Sequence, residues 1–236
     1  IFSEGSSYFA FCLFENNHSD LSGGFLYSTG DISIDRCTIR NNIALVSGGA
    51  IYSSGNVYTE SSTLYNNQAD DAGGAIFCSG IALVRLCTIS GNSVISKGGA
   101  IYNEGTFNIQ NSTIVYNSSA SVGGGIDNEA GTLTLFNTIL AENSASGLGG
   151  DGYNNSGAVL DPLSDYNAIS SNNSFGLGSG LNNQLDVDVS LEPLAYNYGG
   201  FTETHLLICG SHGINEGHAN FPVTFDQNGI VRDNFP

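Results

Sequence analysis

Aliphatic residues return along this chain at a fixed step. Leu26, Ile51, Ile76, Ile101 and Ile126 recur every 25 residues, each three places after the first glycine of GGFLY, GGAIY, GGAIF, GGAIY or GGGID. Later in each period come pairs two residues apart: Ile32/Ile34, Val57/Thr59, Ala82/Val84 and Phe107/Ile109, then Leu133/Leu135 after a one-residue insertion near Ala130. A two-residue spacing is strand alternation, so both members of each pair point inward. Ile39, Leu64, Ile89 and Ile114 supply a third inward position. The pattern predicts three short strands per turn, each pairing with its equivalent one turn on. The expected fold is all-β, a right-handed single-stranded parallel β-helix with 25 residues per turn. Residues 1–150 form the repeat region, about six turns, and 151–236 the final turn or turns and a C-terminal capping region.

Polar positions keep the same step. Asn17, Asn42, Asn67, Asn92, Asn117 and Asn143 form one column, expected at a tight bend, with left-handed backbone and hydrogen bonds between stacked neighbours. Thr38, Thr63, Thr88 and Thr113 form a second column, expected to point outward. Cys12, Cys37 and Cys87 share a third, inward column with Ser62 and Ser112. Cys12 and Cys37, one turn apart, are within reach of a disulfide or form a buried thiol ladder. The glycine pairs mark sharp bends that call for positive φ.

Composition sharpens this picture. Of the 236 residues 40% are hydrophobic, enough for a core, yet only 11% are charged, so the polar surface is Asn, Ser, Thr and Gly. The net charge is −17, with five basic residues: Arg36, Arg40, Arg85, Lys97 and Arg232. Nucleic acid is therefore not an expected partner, because phosphate backbones are held by clustered Lys and Arg. No long apolar run predicts membrane insertion. The acidic, uncharged-polar surface suits an extracellular setting.

The GGAIY…STI…N pattern resembles the repeats of bacterial secreted and surface β-helix proteins of the pectin-lyase-like class, among them polymorphic outer-membrane-protein-like repeats and adhesin-like proteins. The C-terminal stretch resembles the choice-of-anchor Q domain through Pro193, Leu194, Asn197, Gly199, Gly200, Thr202, Thr204, His205, Gly210, Ser211, Asp226, Gln227 and Gly229. It departs from that pattern at the inserted Tyr198 and at His212, Asn215 and Asn228. These resemblances imply export and tethering at the cell surface.

Pectin-lyase-like coils include lyases and glycoside hydrolases, so catalysis has to be weighed. A lyase needs a cation and a base, and Arg36, Arg40 and Arg85 are the candidates. The bland reading is solvated surface arginines with no acidic cluster beside them. A hydrolase needs two placed carboxylates. Asp70–Asp71 is the only adjacent Asp pair, and neighbouring turns offer it no third acid. Asp186 and Asp188, with Glu192, could offer oxygens to Ca²⁺, the one cofactor considered. The four histidines, at 18, 205, 212 and 218, have no metal-binding spacing.

Ile1 aligns with Leu26, so the chain begins partway round a turn, and nothing resembles an N-terminal capping helix. Either upstream turns precede it or another subunit covers the edge. The reading that follows is an exported, non-catalytic cell-surface or extracellular structural protein, adhesin-like. It would bind cell-surface or matrix glycans, or stack head to tail with copies of itself into a filament. The alternative is a polysaccharide lyase or glycoside hydrolase.

Overall fold

A computed structural model describes residues 1–178, 182–212 and 227. Asn215, His218, Asp226, Asn228, Gly229 and Arg232 lie outside the described residues. Within them the structure is all-β, without helix, and the strands are parallel and stacked as a solenoid of about seven turns.

Each full turn carries four strands rather than the three expected. In the second turn they are Leu26–Ser28, Ile32–Asp35, Thr38–Arg40 and Ile43–Ala44. Equivalent strands pair turn upon turn into four parallel sheets, of seven, seven, eight and six strands. The fourth sheet escapes the hydrophobic pattern because its strands have two residues and offer one buried small side chain each, such as Ala44, Ala69 or Val94. The first three sheets carry the predicted aliphatics. Leu26, Ile51, Ile76, Ile101 and Ile126 are fully buried, as are Ile39, Leu64, Ile89 and Ile114. The inserted residue lies between Asn128 and Thr132, since Asn103 pairs with Asn128 but Thr106 with Thr132.

Three residues per turn take positive φ. The first glycine of each pair is one, with φ between 63° and 71° from Gly23 to Gly149. The second glycine has another reason to be glycine. A Cβ on Gly74 would land against the carbonyl oxygen of Gly99 one turn on. The second corner falls at Phe11, Arg36, Ser61, Leu86, Asn111 and Asn137, and the third at Asn16, Asn41, Asn66, Gly91, Tyr116 and Glu142. The asparagine column itself is therefore not left-handed, contrary to expectation. The residue before it makes the bend, and the bend swings the Asn side chain into the column.

Beyond Leu185 the chain leaves the coil and doubles back along the outside of the third sheet. Antiparallel bridges Leu191–Leu207 and Ala195–Thr204 stiffen this strap. Val189, Leu191 and Leu207 pack on the outer-facing Val115, Ala141 and Ala168, forming a second apolar cluster outside the coil.

Candidate functional site

The asparagine column is a continuous hydrogen-bonded ladder. Each Nδ2 donates to the next Oδ1 at 2.8–2.9 Å from Asn17 to Asn143. The same oxygen accepts the backbone N–H of the residue one turn back, as in Asn67 N to Asn92 Oδ1 at 2.9 Å. The second Nδ2 proton goes to a backbone carbonyl of the previous turn, such as Leu64 O for Asn92. Asn42, Asn67, Asn92 and Asn117 are fully buried, so this column is interior framework and not a display surface. Its last acceptor is Asp151, whose second oxygen takes Ser170 Oγ and Ser171 N, both at 2.6 Å. Burial raises the Asp151 pKa and these hydrogen bonds pull it back.

The threonine column leaves the coil outward but is covered, which the sequence reading did not anticipate. Thr63 is fully buried and Thr38 and Thr88 nearly so, beneath the strap. Thr63 Oγ1 donates to Glu203 O at 2.6 Å, and Thr88 Oγ1 to Gln227 Oε1 at 2.9 Å. Thr202 Oγ1 donates to Ser61 O, and Gln227 Nε2 to Thr63 Oγ1 and Thr202 Oγ1. His205 sits between Ser90, 2.9 Å from its Nε2, and the Glu192 carbonyl, 2.7 Å from its Nδ1, with Tyr116 against the ring. A carbonyl only accepts, so Nδ1 carries the proton and Nε2 accepts from the Ser90 hydroxyl. Burial lowers the His205 pKa. Phe201 packs edge-on against Phe11, with the Arg36 guanidinium over both rings. Several residues behind the C-terminal resemblance (Thr202, His205, Gln227) are thus the ones that fasten the strap. The signal that could have revealed it is Val115, Ile139 and Ala141, apolar residues at outward positions of a half-polar strand pattern.

In the cysteine column Cys12 and Cys37 are stacked free thiols, with Cys12 N donating to Cys37 Sγ at 3.4 Å. Cys37 N and Cys87 N donate in turn to Ser62 Oγ and Ser112 Oγ, so the column tethers successive second corners. Burial pushes the Cys37 thiol up to about 11 and Cys87 to about 12, which keeps both protonated and unreactive. Asp186, Asp188 and Glu192 go to separate uses. Asp186 is left-handed and its Oδ1 accepts Asn172 N, while Asp188 and Glu192 offer their backbone carbonyls to His212 and His205. Among the described residues no group of three His, Cys, Asp or Glu is gathered as a metal site.

Arg36, Arg40 and Arg85 are not bare. Arg36 pairs with Asp35 at 2.6 Å, Arg85 with Glu60 at 2.6 Å, and Arg40 with Glu15 at 2.7 Å and the Tyr65 hydroxyl at 2.6 Å. On the outer face of the second sheet, Asp35, Glu60 and Arg85 stand on consecutive rungs and wall a groove of about 270 Å³. Tyr8, Ser33, Tyr58 and Leu83 line the rest of it. Asp35 is raised by burial, against the lowering pull of Arg36. The three recur at the 25-residue step, and the pairing of successive turns brings their unlike side chains together.

The first sheet carries an outward column that sequence reasoning passed over. Phe2, Tyr27, Tyr52, Phe77 and Tyr102 stack ring on ring, with centroids 4.6–5.6 Å apart. Asp127 takes the next rung, between Tyr102 and Tyr153. It is fully buried and neither carboxylate oxygen has a hydrogen-bond partner. Burial, helped by nearby Glu129 and opposed by Lys97, pushes its pKa up to about 7. The Lys97–Glu129 pair, 2.9 Å, and Asn155, 2.6 Å from the same Glu129 oxygen, close over it.

The Chlamydia polymorphic membrane protein repeat matches this chain three times, at residues 36–54, 61–79 and 86–104. Each match runs from the second left-handed corner through the asparagine rung and the glycine pair into the next turn's first strand. No curated protein and no solved structure matches the chain significantly. The comparison therefore rests on the coil alone: three consecutive turns match polymorphic membrane protein repeats, and that likeness points to a cell-surface or outer-membrane location.

Proposed function

We propose that this chain is a non-catalytic, adhesin-like rod displayed at the cell surface, engaging partners along its faces. The observation that carries the reading is the coincidence of the three matched repeats with three turns whose strands pair in register with the turns above and below. A solenoid of this kind holds side chains at fixed spacing over a long surface, which suits recognition by many weak contacts. Its side-chain ladders are stacked, and burial holds the Cys37, Cys78 and Cys87 thiols protonated. Glycans at a host or matrix surface, or a second copy stacked end to end, are the partners this architecture favours.

One observation favours the second reading, a polysaccharide lyase or glycoside hydrolase: the Asp35–Glu60–Arg85 groove. Both carboxylates there are engaged by arginines at 2.6 Å. A glycosidase needs one of the two protonated to act as acid, and burial raises Asp35 in that direction despite the Arg36 guanidinium beside it. The test has two arms. Antibody labelling and protease shaving of intact cells producing the native protein should find the coil accessible; protection from both removes the surface reading. Incubation with aryl glycosides and with polyuronates should give no turnover; turnover lost in Asp35→Asn and Glu60→Gln overturns the non-catalytic reading.

A further inference from the structure

The outer column of the second sheet has a missing rung. Tyr8, Ser33, Tyr58 and Leu83 are register partners on successive turns, all on the outer face. The neighbouring first sheet shows what a filled column looks like: Tyr27, Tyr52 and Phe77 stack with centroids 4.7 and 4.6 Å apart. Here Ser33 interrupts the run, so Tyr8 and Tyr58 stand two rungs apart, roughly 9–10 Å. Both are exposed, 67% and 42%, and the space between them is part of the groove of about 270 Å³.

From this juxtaposition we propose that the vacant rung is a binding site for one uncharged hexopyranose ring, inserted between Tyr8 and Tyr58 with its edge toward Asp35 and Glu60. The proposal rests on the surface-display reading, which makes exposed glycans available. A pyranose is about as thick as a ring rung, and its C–H faces carry the positive polarisation that an aromatic face attracts. Its rim of hydroxyls needs acceptors and donors. Asp35 and Glu60 each have one oxygen on an arginine and one without a hydrogen bond among the described residues, and the Arg85 guanidinium reaches the same wall. The Ser33 hydroxyl at the floor forms no hydrogen bond among the described residues, so it too is available.

The same walls discriminate. An apolar aromatic ligand would fill the rung but strip water from the carboxylates with nothing in return. A uronate or sulfated sugar would bring negative charge to two carboxylates on a chain of net charge −17. The groove is smaller than the roughly 300 Å³ from which drug-sized ligand pockets begin, so it takes one ring and not a length of polysaccharide. Affinity for a single ring is accordingly weak, and useful binding comes from many copies on one surface.

Saturation-transfer NMR on the folded chain tests this, with methyl glucoside, methyl galactoside, methyl mannoside and methyl N-acetylglucosaminide as probes at millimolar concentration. Ring-proton saturation is expected for at least one of them. It should fall roughly tenfold in Tyr58→Ala and vanish in Ser33→Tyr, which fills the rung and keeps the column stacked. Asn108→Tyr, an added ring two rungs beyond Tyr58 in the same column, should leave it unchanged. Circular dichroism of each variant confirms the coil. No saturation of any probe by the wild-type chain, or equal saturation by Ser33→Tyr, overturns the proposal. Neither result touches the surface location, which is read separately on intact cells.

Discussion

Asn143 ends the asparagine ladder on Asp151: one carboxylate oxygen accepts both the backbone N–H and the side-chain Nδ2 of Asn143, each at 3.0 Å. The ladder runs one way, every Asn donating toward the C-terminal turns, so its last member must accept without donating. A carboxylate does that and an amide does not. Asp151→Asn would aim an NH₂ at the Ser171 N–H, leaving two donors facing each other in a buried site. We expect a loss of about 1–3 kcal/mol in chemical denaturation. An unchanged midpoint would show that the ladder needs no acceptor-only end.

The interior of the ladder should be more sensitive than its first rung. Asn92→Ala removes the acceptor for Asn67 N and Asn67 Nδ2, and the donor to Leu64 O, all in a fully buried column. Several stranded groups at roughly 1 kcal/mol or more each predict a loss of about 3 kcal/mol. Asn17→Ala, at the exposed end, strands none of these in the interior and should cost under about 1 kcal/mol. Equal effects in thermal melts would mean that the rungs do not act as a chain.

The second glycine of each pair is a packing requirement and not a conformational one. Gly74 is not left-handed, yet a Cβ there would meet Gly99 O and the Ser93 backbone. Backbone carbonyls of a paired turn cannot step aside without breaking the hydrogen bond from Gly74 N to Gly98 O, 3.0 Å. Gly74→Ala should therefore destabilise the coil by more than about 2 kcal/mol, in the range of core overpacking. Gly157→Ala, with nothing near its Cβ, answers a different question, since only its φ of 106° resists substitution.

Periodicity made the coil legible, because stacking forces like residues to recur once per turn, and the interior aliphatics, asparagines and thiols all followed that rule. The strap was not legible for the opposite reason. It is not periodic, and its contacts, such as Thr63 with Glu203, join residues 140 apart in the chain. The fourth sheet was too short to leave a hydrophobic signature. The left-handed corner beside the asparagine column was misplaced by one residue, because Tyr116 and Glu142 are poor candidates by type and adopt positive φ only because the stacked turns impose it. The groove at Ser33 was invisible for a subtler reason: its evidence is the absence of a ring, and that becomes apparent only once Tyr8 and Tyr58 are placed in register.

Asp127 should make the coil less stable as pH rises. Its folded pKa of about 7 lies above the 3.8 expected of an open carboxyl. Between these values the folded chain holds a proton that the unfolded chain has released, so stability falls with rising pH across that window and levels off above it. A raised carboxyl of this size corresponds to roughly 4 kcal/mol between the two plateaus. Asp127→Tyr would complete the stack between Tyr102 and Tyr153. It should flatten the dependence and raise the melting temperature most above neutral pH. A wild-type midpoint that does not fall between acid and mildly alkaline pH would contradict the buried, unpartnered carboxyl.

The strap should respond in the other direction. His205 is neutral in its docked position, donating from Nδ1 to Glu192 O and accepting the Ser90 hydroxyl at Nε2. Burial lowers its pKa from 6.5, so the free strap binds a proton first as pH falls. Docking is therefore fully favoured above about 6.5 and weakens as pH drops through the folded value. Amide-exchange protection of residues 202–207, corrected for intrinsic rate, should decline in mild acid while protection of the Ile89 and Ile114 strands holds. His205→Gln can supply the same donor and acceptor, so it should keep the strap docked and remove the pH dependence. His205→Ala should lose protection at every pH and uncover the threonine column. Acid-independent protection in the wild-type chain would show that Phe201, Thr202 and Gln227 hold the strap without the histidine.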